Sequence, residues 1–165
     1  MSYFNYKAIN KKDYSENDPF PHIELDNLWN NDLLKDCAKN VKNFTKWNGE
    51  KKFYGSIKKK FSNNYNEFPD SVKKVVDEAN SIKFLNWLRE FTGEEILLSD
   101  PFLHSAGIHS ISRGGYLKIH ADYNWSKELR LYRKLNVLIY LNEDWKTEWG
   151  GDLEFWSKDV KDCIK

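Results

Sequence analysis

The first half of the chain carries apolar residues at helical spacing in three stretches. Apolar side chains recur every three or four positions from Leu33, from Val72 and from Phe84, with polar residues between them. This period places the apolar side chains of each stretch on one face of an α-helix. The residues expected to begin or end these helices are Asn30 or Asn31, Pro69 with Asp70 and Ser71, Ser81, and Gly93.

The second half of the chain changes to short apolar runs that contain β-branched residues. The runs "GGYLKIHAD", "KLNVLIYLN" and "GGDLEFWS" are separated by Gly, Asn and Asp, which is typical of successive strands. The alternating polar and apolar residues of "PFPHIELDNLW" predict a further strand before the first long helix. Helices followed by strands predict an α+β fold, with N-terminal helices packed on one face of a β structure.

Length and composition indicate one folded domain. A chain of 165 residues predicts a single domain over residues 1–165. We expect residues 1 to about 93 to be mainly helical support and residues from about 94 to 165 to form the first part of the β core. The mean hydropathy of −0.78 is low. However, disordered chains are poor in aromatic residues, and this chain has 16%.

The charge balance and the lack of long apolar runs limit the partners and the compartment that we expect for this protein. A formal net charge of +1 gives no reason to expect nucleic acid or a membrane as partner. The lysine-rich segment from Trp47 to Pro69 fits a basic loop or a surface hairpin with solvated lysines, and no basic motif supports the loop. No signal peptide or transmembrane run is visible, so we expect a cytoplasmic, intracellular protein. Cys37 and Cys163 have no disulfide or metal spacing.

The stretch "GGYLKIHADYN" carries the candidate chemistry. Side chains alternate along a strand, so Lys118, His120 and Asp122 are expected on one face. An adjacent imidazole and carboxylate can hold one divalent cation, and this donor set suits non-haem Fe(II). His-x-Asp is also common as a surface ion pair, so the motif alone does not decide. Lys118 is either a solvated side chain or a contact for an anionic substrate.

Three motifs occur in order along the chain, namely "GGYLKIHADYNW", "RKLNVLIYLNEDW" and "WGGDLEFW". Together they resemble the prolyl 4-hydroxylase-like Fe(II)/2-oxoglutarate-dependent dioxygenases. The resemblance runs from about Pro19 to the C-terminus and is densest between Gly107 and Trp156. It implies a double-stranded β-helix, or jelly-roll, core. It also implies that 2-oxoglutarate is decarboxylated to succinate and CO2 with O2, while peptidyl proline or a small molecule is hydroxylated. Ascorbate accompanies this family as a reductant.

The resemblance assigns roles to individual residues. His120 and Asp122 match two iron ligands, and Tyr140 matches a tyrosine that contacts the far carboxylate of 2-oxoglutarate. Leu153 matches an apolar wall position beside this cosubstrate. By strand alternation Asn136 shares the face of Tyr140 and is expected to line the same pocket. Tyr140 and Leu153 are equally compatible with simple core positions.

Two parts of the family pattern have no match in this chain. No histidine follows Asp122, and Arg130 and Arg133 precede the strand where the family has its cosubstrate cation. His104 and His109 are the remaining candidates for a third ligand, without precedent in the family. We therefore expect a C-terminally truncated jelly roll without its closing strands. Its function is then that of a dioxygenase fragment, a non-catalytic jelly-roll binding domain, or an unrelated jelly-roll metal protein.

Overall fold

The fold combines helices with two small antiparallel sheets, which confirms the mixed class predicted from the sequence. The computed structural model describes residues 3–53, 55–104 and 106–165. Within these ranges the helices are α1 (Lys11–Ser15), α2 (Asn31–Lys42), α3 (Asp70–Ala79) and α4 (Ile82–Thr92). The strands are β1 (Gly49–Phe53), β2 (Ser56–Ser62), β3 (Ile108–Leu117), β4 (Trp125–Ser126) and β5 (Leu131–Tyr132), and single 3₁₀ turns span Tyr65–Glu67 and Thr147–Trp149. No helix in the described ranges is long and apolar enough to span a bilayer.

The helix ends follow the predicted capping residues. The Asn30 side chain accepts a hydrogen bond of 2.9 Å from the backbone N–H of Leu33 at the start of α2. Ser81 caps α4 in the same way, through the N–H of Phe84 at 3.1 Å. Such caps satisfy backbone donors that have no partner within the helix. Gly93 ends α4 with φ of +77°, a left-handed conformation that glycine adopts without a Cβ clash.

The helices pack around two apolar clusters. The first joins α2 and α3 to the start of β3, and the second joins α4 to the N-terminal segment. The buried members of the first cluster are Leu33, Cys37, Phe68, Val72, Val75, Leu103 and Ile108. Those of the second are Phe4, Leu28, Phe84, Trp87, Leu88 and Phe91. Buried apolar area of this kind supplies the main driving force for folding.

Aromatic side chains hold the N-terminal segment against α4. The Phe4 ring lies edge-on to Trp29 and Trp87, with centroid distances of 4.9 Å in both pairs. The Trp87 indole N–H donates to the carbonyl of Lys7 at 2.8 Å. The Tyr6 hydroxyl donates to the Glu78 carboxylate on α3. The segment before α1 is therefore attached to α3 and α4 by both packing and polar contacts.

The three-stranded sheet has the order β1–β2–β3, and both pairs are antiparallel. The predicted lysine-rich surface hairpin is confirmed as β1 and β2, although Tyr54 near its turn lies outside the described residues. Strand β2 pairs with β3 from Ser62 opposite Ile108 to Ser56 opposite Leu117, with an irregularity near Lys58. Because Ile108 belongs to the first apolar cluster, β3 starts at the core and runs outward.

Three of the predicted strands are wrong. Residues 19–28 form no strand, and Trp29 makes only an isolated bridge to Phe4. Pro19 and Pro21 have no backbone N–H, which weakens any ladder there. Residues 134–142 and 150–157 have no ladder partner in the described ranges apart from an isolated bridge of Trp156. Alternation of apolar residues is local, whereas a ladder also requires a neighbouring segment about 4.8 Å away.

The described residues therefore contain a three-stranded and a two-stranded sheet, and not the two facing sheets expected of a jelly roll. Large apolar side chains remain exposed in this half of the chain. Relative exposure is 57% for Leu138, 62% for Tyr140 and 51% for Leu153. A facing sheet is the element that normally covers such side chains in a β-sandwich.

The Tyr6–Glu78 contact predicts a pH-dependent contribution to stability. Burial, followed by the hydrogen bond to Glu78, raises the pKa of Tyr6 from 10.0 to about 12. The folded state therefore holds this proton more tightly, and the stabilisation is complete below pH 10 and lost as the pH rises towards 12. Relative to Tyr6→Phe, we expect the wild type to lose about 1 kcal/mol of unfolding free energy over this range, allowing for solvent screening.

Urea unfolding of the wild type and Tyr6→Phe measures the effect at pH 8, where the stabilisation is complete, and at pH 11, where part of it is lost. Tyr132→Phe, on the β4–β5 hairpin, is the matched control. The prediction is contradicted if the difference in unfolding free energy between the wild type and Tyr6→Phe is the same at both pH values.

Candidate metal centre

Strand β3 leads directly into the predicted ligand pair. It ends at Leu117, and the next backbone N–H, of Lys118, donates to the carbonyl of Gly55 at 2.7 Å. Near the end of β3, a Cβ on Gly115 would lie 2.7 Å from the carbonyl oxygen of Ile57. Only glycine permits this close approach of two backbones. The sheet thus fixes the point at which the chain leaves β3 towards His120.

His120 is oriented by a backbone contact rather than by strand alternation. Its Nδ1 lies 2.7 Å from the carbonyl oxygen of Lys118. A carbonyl only accepts hydrogen bonds, so Nδ1 carries the proton in the neutral ring and Nε2 presents a lone pair. A bond from the other ring nitrogen to a carbonyl is also what orients metal-binding histidines in general. The backbone carbonyl of Lys118 therefore orients the His120 ring.

The Asp122 carboxylate lies beside this lone pair. Its Oδ1 is 3.5 Å from Nε2 of His120, and the two side chains are 45% and 43% exposed. Two ligand atoms at about 2.1 Å from one metal lie about 3.0 Å apart at a right angle and about 3.4 Å apart at the tetrahedral angle. The pair is thus spaced so that a small movement would let both atoms hold one cation. Half-exposure leaves room for further ligands.

Asp122 also has partners on its other oxygen. The Asn136 side-chain amide donates to Oδ2 at 2.8 Å, and Nη1 of Arg133 lies 3.5 Å from the same atom. Neither contact uses Oδ1. The two oxygens of the carboxylate are therefore distinct in their surroundings.

These contacts also set the charge of Asp122. Burial of the carboxyl group raises its pKa, but the Asn136 hydrogen bond and the charge of Arg133 lower it. The charge of Lys59 adds to the lowering, as does that of His120 when its ring is protonated, and the pKa of Asp122 ends below its ordinary value. Asp122 is therefore ionised at neutral pH, as a metal ligand must be.

The third-ligand candidates do not join the pair. Among the described residues, no His, Cys, Asp or Glu forms a group of three that could hold a metal ion. The backbone N–H of His104 donates to the Asp100 carboxylate, and its ring lies against Phe102. His109 lies opposite Phe61 in the β2–β3 ladder. In the described ranges, His120 and Asp122 therefore stand as a half-exposed pair that no third His, Cys, Asp or Glu joins.

The predicted cosubstrate residues are arranged by alternation along an extended segment. Leu135, Ile139 and Leu141 pack against the apolar clusters, and Asn136 and Tyr140 point away from the core as alternation predicts. Val137 does not follow this alternation, because it is 46% exposed. Asn136 uses this outward position to reach Asp122. Tyr140 points outward as well and lines a shallow cleft with Leu34 and Ala38 of α2, among others.

Tyr140 and Leu153 lie in different surroundings. Partial burial, followed by the charge of Glu24, raises the pKa of Tyr140, so its phenol is a proton donor at neutral pH. Leu153 lies two residues after Gly151, whose φ is +84°, and its side chain is half exposed. The structure brings Asn136 to the His120–Asp122 pair and leaves Tyr140 and Leu153 at exposed positions outside it.

Sequence reasoning missed the contribution of Arg133. Its position before the apolar run suggested no role, yet its backbone N–H donates to the carbonyl of Asn124 at 2.8 Å. That bond closes the β4–β5 hairpin, in which Trp125 faces Tyr132 with ring centroids 4.8 Å apart. The sequence signal for this contact is the aromatic pair, Trp125 and Tyr132, on either side of a short turn. Such a pair favours a hairpin, and the hairpin places residue 133 near residue 122.

Comparison with known proteins agrees with the chemistry of the pair. A family model for the 2OG-Fe(II) oxygenase superfamily matches residues 106–165. This 2OG-Fe(II) oxygenase match covers β3, His120, Asp122, Asn136 and Tyr140, and it supports a dioxygenase-type function at the level of the superfamily. No curated protein and no solved structure is significantly similar to the chain.

Proposed function

We propose that this protein is an Fe(II)- and 2-oxoglutarate-dependent dioxygenase, or part of one, whose iron is held by His120 and Asp122. One observation carries the proposal. Within the region that matches the oxygenase superfamily, Nε2 of His120 and Oδ1 of Asp122 lie 3.5 Å apart. One imidazole and one carboxylate are two of the three protein ligands typical of non-haem Fe(II) oxygenases.

The chemistry of the iron, His120 and Asp122 gives each a separate role. Iron in the Fe(II) state, when bound, supplies electrons for the activation of O2. His120 donates a neutral nitrogen, which the carbonyl of Lys118 keeps in the required tautomer. Asp122 supplies the negative charge that offsets part of the metal's charge. Because both side chains are nearly half exposed, the solvent side of the pair would leave room for 2-oxoglutarate and O2.

We propose that the outward face of residues 136–140 contributes to the cosubstrate pocket. The Tyr140 phenol can donate a hydrogen bond to a carboxylate, and such charge-assisted bonds are among the stronger ones. Asn136 lies within hydrogen-bond distance of the ligand pair, and Leu153 would add an apolar wall. The substrate that is hydroxylated is peptidyl proline or a small molecule, as in the prolyl 4-hydroxylase-like group, with ascorbate as a reductant of the iron.

We also propose that the oxygenase core is of the jelly-roll type within a single domain over residues 1–165. Residues 138–141 alternate between exposed and partly buried side chains, as in a sheet strand with one covered face, whereas Val137 is 46% exposed and departs from this alternation. Strand β3 already pairs with β2 and leads to the ligand pair. The helices at residues 31–42 and 70–92 provide the apolar surface on which such a strand packs.

The metal assignment predicts selective loss of binding on substitution. Anaerobic calorimetric titration with Fe(II) or Co(II) should show one site in the wild type and weakening by at least about tenfold in His120→Ala and in Asp122→Ala. His104→Ala is the matched control, because the His104 ring lies beside Phe102 and outside the pair. Equal affinity in all four proteins would exclude this metal centre. Succinate release from 2-oxoglutarate gives a second readout of the same variants.

The role of Tyr140 is tested separately with the cosubstrate. In protein loaded with Co(II), Tyr140→Phe should weaken 2-oxoglutarate binding about ten- to a hundredfold, the effect of losing a hydrogen bond to a charged group. Metal affinity should not change. Tyr132→Phe serves as control, since that ring packs on Trp125 in the hairpin. Unchanged 2-oxoglutarate affinity in Tyr140→Phe would show that Tyr140 has no contact with the cosubstrate.

A further inference from the structure

The two oxygens of the Asp122 carboxylate have different neighbours. Oδ1 faces Nε2 of His120 at 3.5 Å. Oδ2 accepts a hydrogen bond of 2.8 Å from the Asn136 amide and lies 3.5 Å from Nη1 of Arg133. An ionised carboxylate only accepts hydrogen bonds, so the amide nitrogen of Asn136 must be the atom that points towards it. One oxygen is thus engaged by the protein, and the other is turned to the imidazole.

The two residues that contact Oδ2 of Asp122, Asn136 and Arg133, lie next to well-packed parts of the chain. Asn136 is 14 residues from Asp122, and its neighbour Leu135 packs against the second apolar cluster. The backbone N–H of Arg133 donates to the carbonyl of Asn124. Its guanidinium lies 5.5 Å from the centre of the Tyr123 ring. The carboxylate is therefore held from a segment whose position is set by the helical core and the β4–β5 hairpin.

Asn136 and Arg133 differ in what they do to an approaching cation. The Asn136 amide is neutral, so it fixes the carboxylate rotamer without reducing its charge. The Arg133 guanidinium carries a permanent positive charge that pairs with the carboxylate and repels a divalent metal. Two contacts on the same oxygen should therefore have opposite effects on metal affinity.

We infer that Asn136 is a positioning residue that holds Oδ2 of Asp122 so that Oδ1 faces the metal beside His120, and that Arg133 is a counter-ion which the metal must displace or outweigh. This inference rests on the proposed metal centre. It assigns Asn136 to the support of a ligand, in addition to the pocket role expected from alternation. It also predicts that Asp122 binds through one oxygen only.

Opposite changes in affinity provide the test. In calorimetric titrations with Co(II), Asn136→Leu should weaken binding about ten- to a hundredfold, the usual effect of removing a partner that orients a ligand. Arg133→Gln should tighten binding about three- to tenfold, because a nearby positive charge is removed. Raising NaCl from about 0.05 to about 0.5 M should shrink the Arg133→Gln effect and leave the Asn136→Leu effect in place.

Matched controls lie nearby in the chain. Asn142→Leu changes an asparagine that lines the cleft against α2, and Arg130→Gln changes an arginine in the turn between β4 and β5. Both should leave Co(II) affinity within about twofold of the wild type. Thermal unfolding without metal should shift by no more than about 2 °C in Asn136→Leu and the two controls, whose altered side chains are exposed, and by no more than about 4 °C in Arg133→Gln, whose side chain is 23% exposed.

Each outcome has a definite meaning. Weaker binding in Asn136→Leu together with tighter binding in Arg133→Gln supports the inference. If His120→Ala and Asp122→Ala lose Co(II) while Asn136→Leu binds as the wild type does, the metal centre stands and the inference is wrong. Weakening in both Asn136→Leu and Arg133→Gln also overturns it, because a general loss of local structure then explains both. A wild type that binds no Co(II) overturns the metal centre and the inference together.

Discussion

The packing of one face of residues 135–141 against the helices is the constraint on which the candidate site depends. Leu135, Ile139 and Leu141 are partly buried against the two apolar clusters. Since side chains of an extended segment alternate, this anchoring turns Asn136 and Tyr140 outward. Asn136 then meets Asp122, which arrives from β3 by an independent route. The described helices therefore help to position Asn136 beside Asp122, although neither residue belongs to a helix.

The contact between His120 and Asp122 adds little to the stability of the fold. The His120 and Asp122 side chains are both nearly half exposed, and an exposed ion pair contributes about 0–1 kcal/mol. Lys118 supports His120 through its carbonyl, and Arg133 supports Asp122 from a hairpin held by an aromatic pair. Substitution at the pair should thus leave the helical clusters intact, which makes loss of metal binding separable from loss of folding.

The sequence predicted the features that depend on neighbouring residues. Asn30 and Ser81 cap their helices through contacts within three residues, and the lysine-rich hairpin follows from two short runs around a turn. The adjacency of His120 and Asp122 was also predicted, but for the wrong reason. Both lie beyond the end of β3, and the contact to the Lys118 carbonyl orients the ring.

Features that require distant partners were not predictable in this way. The strands expected at residues 134–142 and 150–157 had the right alternation, but their ladders need segments that the pattern does not specify. Arg133 and Lys59 lie near Asp122 only because the β4–β5 hairpin and β2 bring them there. The family comparison, which matches residues 106–165, adds the identity of the expected metal to what the local geometry allows.

The central claim is that one imidazole and one carboxylate oxygen of this chain bind a single divalent metal. X-ray absorption at the cobalt edge of the Co(II)-loaded protein tests it most directly. The account predicts a light-atom shell with the multiple scattering of one imidazole, lost in His120→Ala and retained in His104→Ala. A sulfur shell, more than one imidazole, or an imidazole signal that persists in His120→Ala would contradict it.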